Sequence, residues 1–329
     1  MTDFKRYLLD EFVEDYQEGQ LSRREALKLI AAVTGSLALA NAILAACGPA
    51  PQATATSAPT ATAAPAGVPT TLPATQPTSI PPQPSETPAA EATDSLSGEI
   101  EAGDVEFPGE GTTLKGYLAR PAGAGPYPAV LVCHENRGLT EHIQDVTRRV
   151  AMASYIGLAV DLLSRQGGTA AIGDSSQVPG ILGNTPPDQF VQDFISGWRW
   201  LQSQLTVQAD RVGMVGFCFG GGVTWRVAMG LPELRAAVPF YGPHPSADDV
   251  ASIQAAVLAI YAERDQRINQ GIPAIEAAMQ QNGKVYEKVI YPNTDHAFHN
   301  DTGSRYNLEA AQDAWARTLA WFEKYLKAP

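Results

Sequence analysis

Between Val212 and Val223 an apolar run meets a cysteine flanked by glycines: Val212 to Val215, Gly216, Phe217, Cys218, Phe219, then Gly220 to Gly222. The order predicts a strand, a tight turn and a helix, with one reactive side chain at the apex. Gly-x-Cys-x-Gly is the spacing of a nucleophile elbow, with sulfur in place of the usual serine oxygen. Glycines two residues either side let strand and helix pass closely. A helix N-terminus just beyond the sulfur favours a thiolate and offers N–H groups to a developing oxyanion. The competing reading is a buried structural cysteine, since free cysteine often packs as a small hydrophobe. The rest of the chain must supply partners.

Four polar residues follow apolar runs: Glu135 after Pro128 to Cys133, Cys218, Asp265 after Ala256 to Tyr261, and His296 after Val285 to Tyr291. In open α/β sheets, ligands bind beyond the carboxyl ends of strands. Cys218, Asp265 and His296 come in the nucleophile–acid–base order of that architecture. His296 would accept the thiol proton and return it to the leaving group. Asp265 would fix the imidazole tautomer and stabilise its cation. Any one of the three alone is ordinary, since a loop aspartate is often a cap and a lone histidine often surface. The joint placement carries the reading.

The elements that must hold these residues alternate. An opening hairpin is expected from Val105 to Phe107 and Leu114 to Ala119, then a buried strand from Pro128 to Cys133 and a helix from Glu141 to Tyr155. A second buried strand runs from Gly157 to Leu163. The segment 167–187 is punctuated by glycine and proline and is placed to cover a site. A helix from Asp188 to Leu205 precedes the elbow. Further strands are expected at Ala236 to Tyr241, Ala256 to Tyr261 and Val285 to Tyr291, with helices at Ile272 to Asn282 and Arg305 to Leu326. Apolar middle strands alternating with helices mean an α/β fold: a mostly parallel central sheet with helices on both faces. Leu308, Ala311, Trp315, Leu319 and Phe322 form the expected core stripe of the last helix, and Trp198, Arg199 and Trp200 read as helix packing.

Residues from about 99 to 327 resemble the dienelactone hydrolase family, cysteine-nucleophile enzymes of the α/β-hydrolase fold. His134 to Leu139, Asp161 to Arg165, Gly216 to Gly221 and Asp295 to Phe298 carry the resemblance. It implies a carboxymethylenebutenolidase-like hydrolase of esters or lactones, working through a thioester and needing no cofactor. It assigns Glu135 as the carboxylate that meets the resting cysteine and assists its ionisation, and the backbone N–H groups of Phe219 and Asn136 as the oxyanion hole. Arg165 matches an arginine that engages the substrate carboxylate. The family's second such arginine, four residues after the catalytic histidine, is here Asn300. One missing charge-assisted contact, about 1.5–3 kcal/mol, weakens the case for dienelactone itself. Arg305 is a candidate to reach in from another backbone position.

Before this domain lie two segments of different character. Ser22 to Lys28, with Arg23 and Arg24 paired, resembles a twin-arginine export signal ahead of a moderately apolar stretch, Leu29 to Ala46. Thr34, Gly35, Ser36 and Asn41 dilute it too far for a permanent membrane span of ~20 apolar residues. Leu44 to Cys47 is similar to a bacterial lipobox, which makes Cys47 the lipidation site. Residues 1–47 thus read as an export signal and 98–329 as the catalytic domain, on an exported protein anchored to the bacterial membrane through lipid on Cys47. The alternative is a cytosolic amphipathic helix leading into an anchor, and the acidic stretch Asp10 to Asp15 has no role in either. Residues 48–97, almost wholly Ala, Pro, Thr, Ser and Gln, have the composition of a disordered tether.

A net charge of −12 argues against nucleic acid as a partner. Three cysteines form no disulfide framework; Cys133 reads as inert core and Cys218 as a free thiol. Asp295, His296, His299 and Asp301 crowd together, but one His-x-x-His without a second ligand pair does not make a metal site. His134 reads as structural, and His142 and His244 have no visible partner. The expected ligand is a small ester or lactone; oligomeric state is open, with a monomer expected. Two rivals stay in play: a broad esterase or thioesterase without carboxylate selectivity, and a non-catalytic lipoprotein that presents a ligand.

Overall fold

A computed structural model describes residues 2–47 and 99–327; the expected tether lies outside the described residues. Eight strands form one sheet: β1 (Ile100–Gly109), β2 (Thr112–Pro121), β3 (Tyr127–Cys133), β4 (Ile156–Asp161), β5 (Val207–Phe217), β6 (Leu234–Phe240), β7 (Ala256–Ala262) and β8 (Tyr286–Tyr291). Their spatial order is β1-β2-β4-β3-β5-β6-β7-β8. The β1–β2 hairpin joins antiparallel through β2 to β4, and every pairing from β4 to β8 is parallel. Each residue of β4 and β7 is buried, which is why these strands are apolar throughout rather than alternating.

Helices α4 (Glu141–Met152), α5 (Val178–Asn184), α6 (Pro187–Gln202), α7 (Phe219–Gly230), α8 (Gln266–Asn269), α9 (Ile272–Gln281) and α10 (Leu308–Phe322) complete the domain. Small residues in the sheet show which helices share a face. Gly157 meets Thr147 and Val150 of α4, and Gly213 meets Phe322 and Leu326 at the chain's end; Gly216 meets Thr224 of α7. On the α7 side Leu158 and Val160 pack against Gly197 of α6.

Three expectations shift. The last helix begins at Leu308, capped by Asn307, and buries Ala310, Ala311, Ala314, Thr318, Trp321 and Phe322, while Leu308 is exposed. Of the expected stripe, Ala311 and Phe322 are buried, while Trp315 and Leu319 lie at its half-buried margin. The fourth helix stops at Met152, where Ser154 turns the chain at φ 65°. Segment 167–187 holds single turns and the short α5, which supports other helices rather than standing alone.

Those other helices are the amino-terminal surprise. The acidic stretch without a role forms α1 (Asp3–Gln17), capped by Thr2 accepting from Lys5 N. Phe4, Tyr7, Leu8, Glu11 and Phe12 are buried at i, i+3, i+4, i+7 and i+8, one continuous helical face. Ser22 and Glu25 make a reciprocal capping box for α2 (Arg23–Thr34). Gly35, in the left-handed region at φ 75°, ends it, and Ser36 caps α3 (Leu37–Ala46). The apolar stretch is therefore a bent pair of short helices; no described helix is long and apolar enough to cross a membrane. α2 packs on α5 so closely that a Cβ on Gly180 would lie 2.4 Å from the Ala32 carbonyl oxygen.

Candidate active site

The elbow is built as its spacing requires. Cys218 stands between β5 and α7 at φ 57°, ψ −120°, a strained conformation for a side chain with Cβ. It is tied down by Cys218 N donating to Phe240 O at 3.0 Å and Gly221 N donating to Cys218 O at 2.9 Å. A Cβ on Gly216 would fall 2.2 Å from Gly220 O, and one on Gly220 would fall 2.5 Å from His134 O. Only glycine fits either place. Phe219 opens α7, so its N–H has no helical carbonyl one turn back.

The loops after β7 and β8 bring the acid and base together. His296 Nδ1 and Asp265 Oδ2 are 2.6 Å apart, with Asp265 only 3 % exposed. The other carboxylate oxygen accepts from Ile268 N at 3.2 Å, so Asp265 is fixed by the helix it caps. Burial pushes the Asp265 carboxyl up, but the charge of His296 and their hydrogen bond outweigh it and hold the group below its usual range. Burial likewise opposes an imidazolium at His296, yet Asp265 lifts its pKa well above normal. At Cys218, burial first and the Glu11 carboxylate second raise the thiol, against the downward pull of His296.

The amino-terminal helix supplies what the sequence reading missed. The Tyr7 hydroxyl lies 3.3 Å from Cys218 Sγ and 3.5 Å from His296 Nε2. Glu11 Oε1 is 3.6 Å from Sγ and accepts from Asn136 Nδ2 at 2.8 Å. Glu11, Cys218 and His296 place ligand-type atoms within 4.8 Å of one another, and Tyr7 and Asn136 hydrogen-bond to members of the group. The signal was legible: a Thr cap followed by Phe4, Tyr7, Leu8, Glu11 and Phe12 at helical spacing. The resemblance of residues 22–47 to an export signal draws attention away from it.

Other expected site residues divide. Glu135 is buried near the thiol, and burial raises its carboxyl, but its Oε2 accepts from Asn300 Nδ2 at 2.7 Å. The carboxylate that meets the resting cysteine is thus Glu11, and the residue standing where an arginine was expected orients Glu135. Arg165 does not enter the cleft: its Nη1 donates to the buried Asp193 Oδ2 at 2.7 Å and its Nη2 to the Glu110 carbonyl. Arg305 does border the cleft and is paired with Asp15 of α1 and with Glu18, the residue that caps its end. Arg267, two residues past Asp265, donates from Nε to Glu14 at 2.9 Å and covers the Tyr7 ring at 4.5 Å. Its two terminal nitrogens have no hydrogen-bond partner among the described residues.

The remaining candidates have separate occupations. His134 accepts from Leu162 N at 3.2 Å and ties the β3 and β4 ends together. His142 and Arg149 hold Asp301, Asp295 faces Arg264, and His299 stacks on Phe217 at 4.9 Å. His244 bonds the Tyr261 hydroxyl. Cys47, Cys133 and Cys218 are all free thiols.

A strained cysteine elbow with an aspartate–histidine pair, at the carboxyl edge of this sheet, defines a thiol-dependent enzyme of the α/β-hydrolase class. The dienelactone hydrolase family model matches residues 114–326, and the chain belongs to that family, one of ester and lactone hydrolases. A relative in Methylorubrum extorquens, named "Putative carboxymethylenebutenolidase", is 34% identical over 236 residues, 68% of this chain and 81% of its own. A second of that name in Escherichia coli K12 is 32% identical over 239 residues, 69% of this chain and 88% of its own. The Klebsiella pneumoniae crystal structure described as "Putative Dienelactone Hydrolase" is 33% identical with a TM-score of 0.65, covering 69% of this chain and 100% of that one. Helices α1 to α3 precede the family match.

Proposed function

We propose that this chain hydrolyses a carboxylic ester or lactone through a thioester at Cys218. The observation that carries the reading is the 2.6 Å Asp265–His296 pair beside the elbow sulfur. His296 takes the thiol proton, and the thiolate attacks the substrate carbonyl carbon. The oxyanion is received by the N–H groups of Phe219 and Asn136. As the C–O bond breaks, His296 returns the proton to the departing alkoxide; for a lactone this opens the ring. Water, deprotonated by the same imidazole, then cleaves the thioester and restores the thiol. Glu135, oriented by Asn300, is the second carboxylate beside the thiol and assists its ionisation when substrate displaces what now surrounds it.

The relatives named carboxymethylenebutenolidase favour a lactone bearing a carboxylate. The commitment of Arg165 to Asp193, with Asn300 in place of an arginine, favours the broader esterase reading. A panel of aryl esters and lactones, each with and without a carboxylate, decides between them. A carboxylate preference under tenfold selects the esterase; loss of all turnover in Cys218→Ala supports the thiol mechanism in either case, and retained turnover sinks it.

The same proposal places the enzyme outside the cytoplasm. Arg23 and Arg24 ahead of Leu29 to Ala46, and Leu44 to Cys47 at its end, support twin-arginine export and lipidation of Cys47. Mass spectrometry of the membrane-bound protein tests this: a mature chain beginning at a diacylated Cys47 supports it, and an intact Met1 with unmodified Cys47 sinks it.

A further inference from the structure

We infer that the catalytic cleft is a docking site for the chain's own acidic helix α1, which holds the thiol closed until the leader departs. Three observations on different sides of the helix converge. Its tip groups crowd the reaction space: Tyr7 Oη at 3.3 Å and Glu11 Oε1 at 3.6 Å from Sγ stand at about the 3–3.5 Å where a substrate carbonyl must sit for attack, and they narrow the cleft beside Cys218 to about 160 Å³. Its apolar face is anchored, with Phe4 against Phe190 and Phe219 at centroid distances of 5.8 and 4.7 Å. Its acidic flank meets the arginines of the cleft rim, Glu14 on Arg267, and Asp15 and Glu18 on Arg305.

The helix also opposes the chemistry. Glu11 holds Asn136 by its side chain, and its negative charge stands against a thiolate. The partner that fits this surface is therefore an amphipathic helix with aromatic residues on one face and carboxylates beside them. The family match starts at residue 114, and the Klebsiella relative is covered whole by about two thirds of this chain. The covering helix is an addition to the catalytic domain. If the leader is cut off at Cys47, the closed cytoplasmic precursor becomes an open enzyme after export.

The inference takes Cys218 as the nucleophile proposed above, and its test reads the thiol separately from turnover. The full chain is compared with Glu14→Arg/Asp15→Arg, which turns two rim attractions into repulsions, and with Phe12→Ala, which loosens the helix from its apolar side. Iodoacetamide labelling of Cys218 is followed by peptide mapping, alongside hydrolysis of p-nitrophenyl acetate. A docked state favoured by at least about tenfold predicts labelling about tenfold or more faster in both variants. Adding Arg305→Asp to a chain carrying Asp15→Arg alone, where it restores the single reversed pair, slows labelling again. Cys133, fully buried, stays unlabelled if the fold is intact. Equal labelling rates in wild type and both variants, with Cys133 protected, overturn the inference. Faster labelling without ester turnover supports the closed helix and refutes the hydrolase reading. A fall in turnover with faster labelling overturns the inference in favour of α1 as part of the working site.

Discussion

Replacing Asp265 by asparagine removes one charge and leaves the geometry nearly intact. Asparagine can still accept from Ile268 N, so the cap of α8 survives. What goes is a buried, charge-assisted hydrogen bond of 2.6 Å to His296. Such a bond is worth about 1.5–3 kcal/mol, or roughly 10- to 150-fold in rate. An amide that donates to Nδ1 would also force the wrong tautomer, which extends the loss to as much as ~10⁴-fold. The assay is kcat/KM on an aryl ester from pH 4 to 9, in the wild type and the variant. Asp265 raises the His296 pKa, so its removal lets the imidazolium deprotonate at lower pH. The acid limb therefore moves down in pH while the plateau falls. A plateau within threefold of wild type, with the limb unmoved, would refute the assignment of this pair as the catalytic acid–base unit.

Three further outcomes follow from the geometry. Gly216→Ala places a Cβ 2.2 Å from a backbone carbonyl; the elbow must shift, with a stability loss of about 1–3 kcal/mol in urea melts and turnover falling more than 100-fold. Unchanged turnover would show that the elbow tolerates a side chain there. Arg165→Ala strands the buried Asp193, so a stability loss of about 2–4 kcal/mol is expected, with equal effects on acidic and neutral substrates; a selective loss on acidic substrates would restore Arg165 as a substrate residue. Burial lowers His244 to a pKa of about 4 and His299 to about 3, from the ordinary 6.5. The unfolded chain binds these protons first as pH falls, so stability is full above pH 6.5 and declines below it by about 1.4 kcal/mol per unit for each histidine. His296, whose pKa is raised, contributes with the opposite sign, so the check is by difference: a change in urea midpoint between pH 7.5 and 5.5 that is the same in the wild type and in His244→Gln/His299→Gln would contradict this.

The catalytic domain was legible because its signals are local. Gly216, Cys218 and Gly220 carry their reason in their spacing, and Asp265 and His296 each follow an apolar strand whose end the fold must place at one edge. Arg165 and Glu135 misled because a side chain's partner is set by tertiary packing: Asp193 comes from α6 and Asn300 from the loop beyond β8. The last helix buries small Ala310, Ala314 and Thr318 in place of Leu308, Trp315 and Leu319, because close packing on the sheet admits small side chains that a search for large apolar ones passes by. The largest omission was α1. Its stripe of Phe4, Tyr7, Leu8, Glu11 and Phe12 is as clear as any in the domain, but a stripe shows that a face is covered and not what covers it. The cleft that covers this one is formed by residues more than a hundred positions away.

The central claim is a thioester at Cys218, and intact-mass spectrometry reads it directly. A slowly deacylating aryl ester is mixed with the Glu14→Arg/Asp15→Arg chain and quenched in acid within the first turnovers. The account predicts a mass increase of one acyl group, mapped to the peptide containing Cys218 and absent from the Cys218→Ala form. Turnover with no adduct on Cys218, or an adduct and continued hydrolysis in Cys218→Ala, would contradict it.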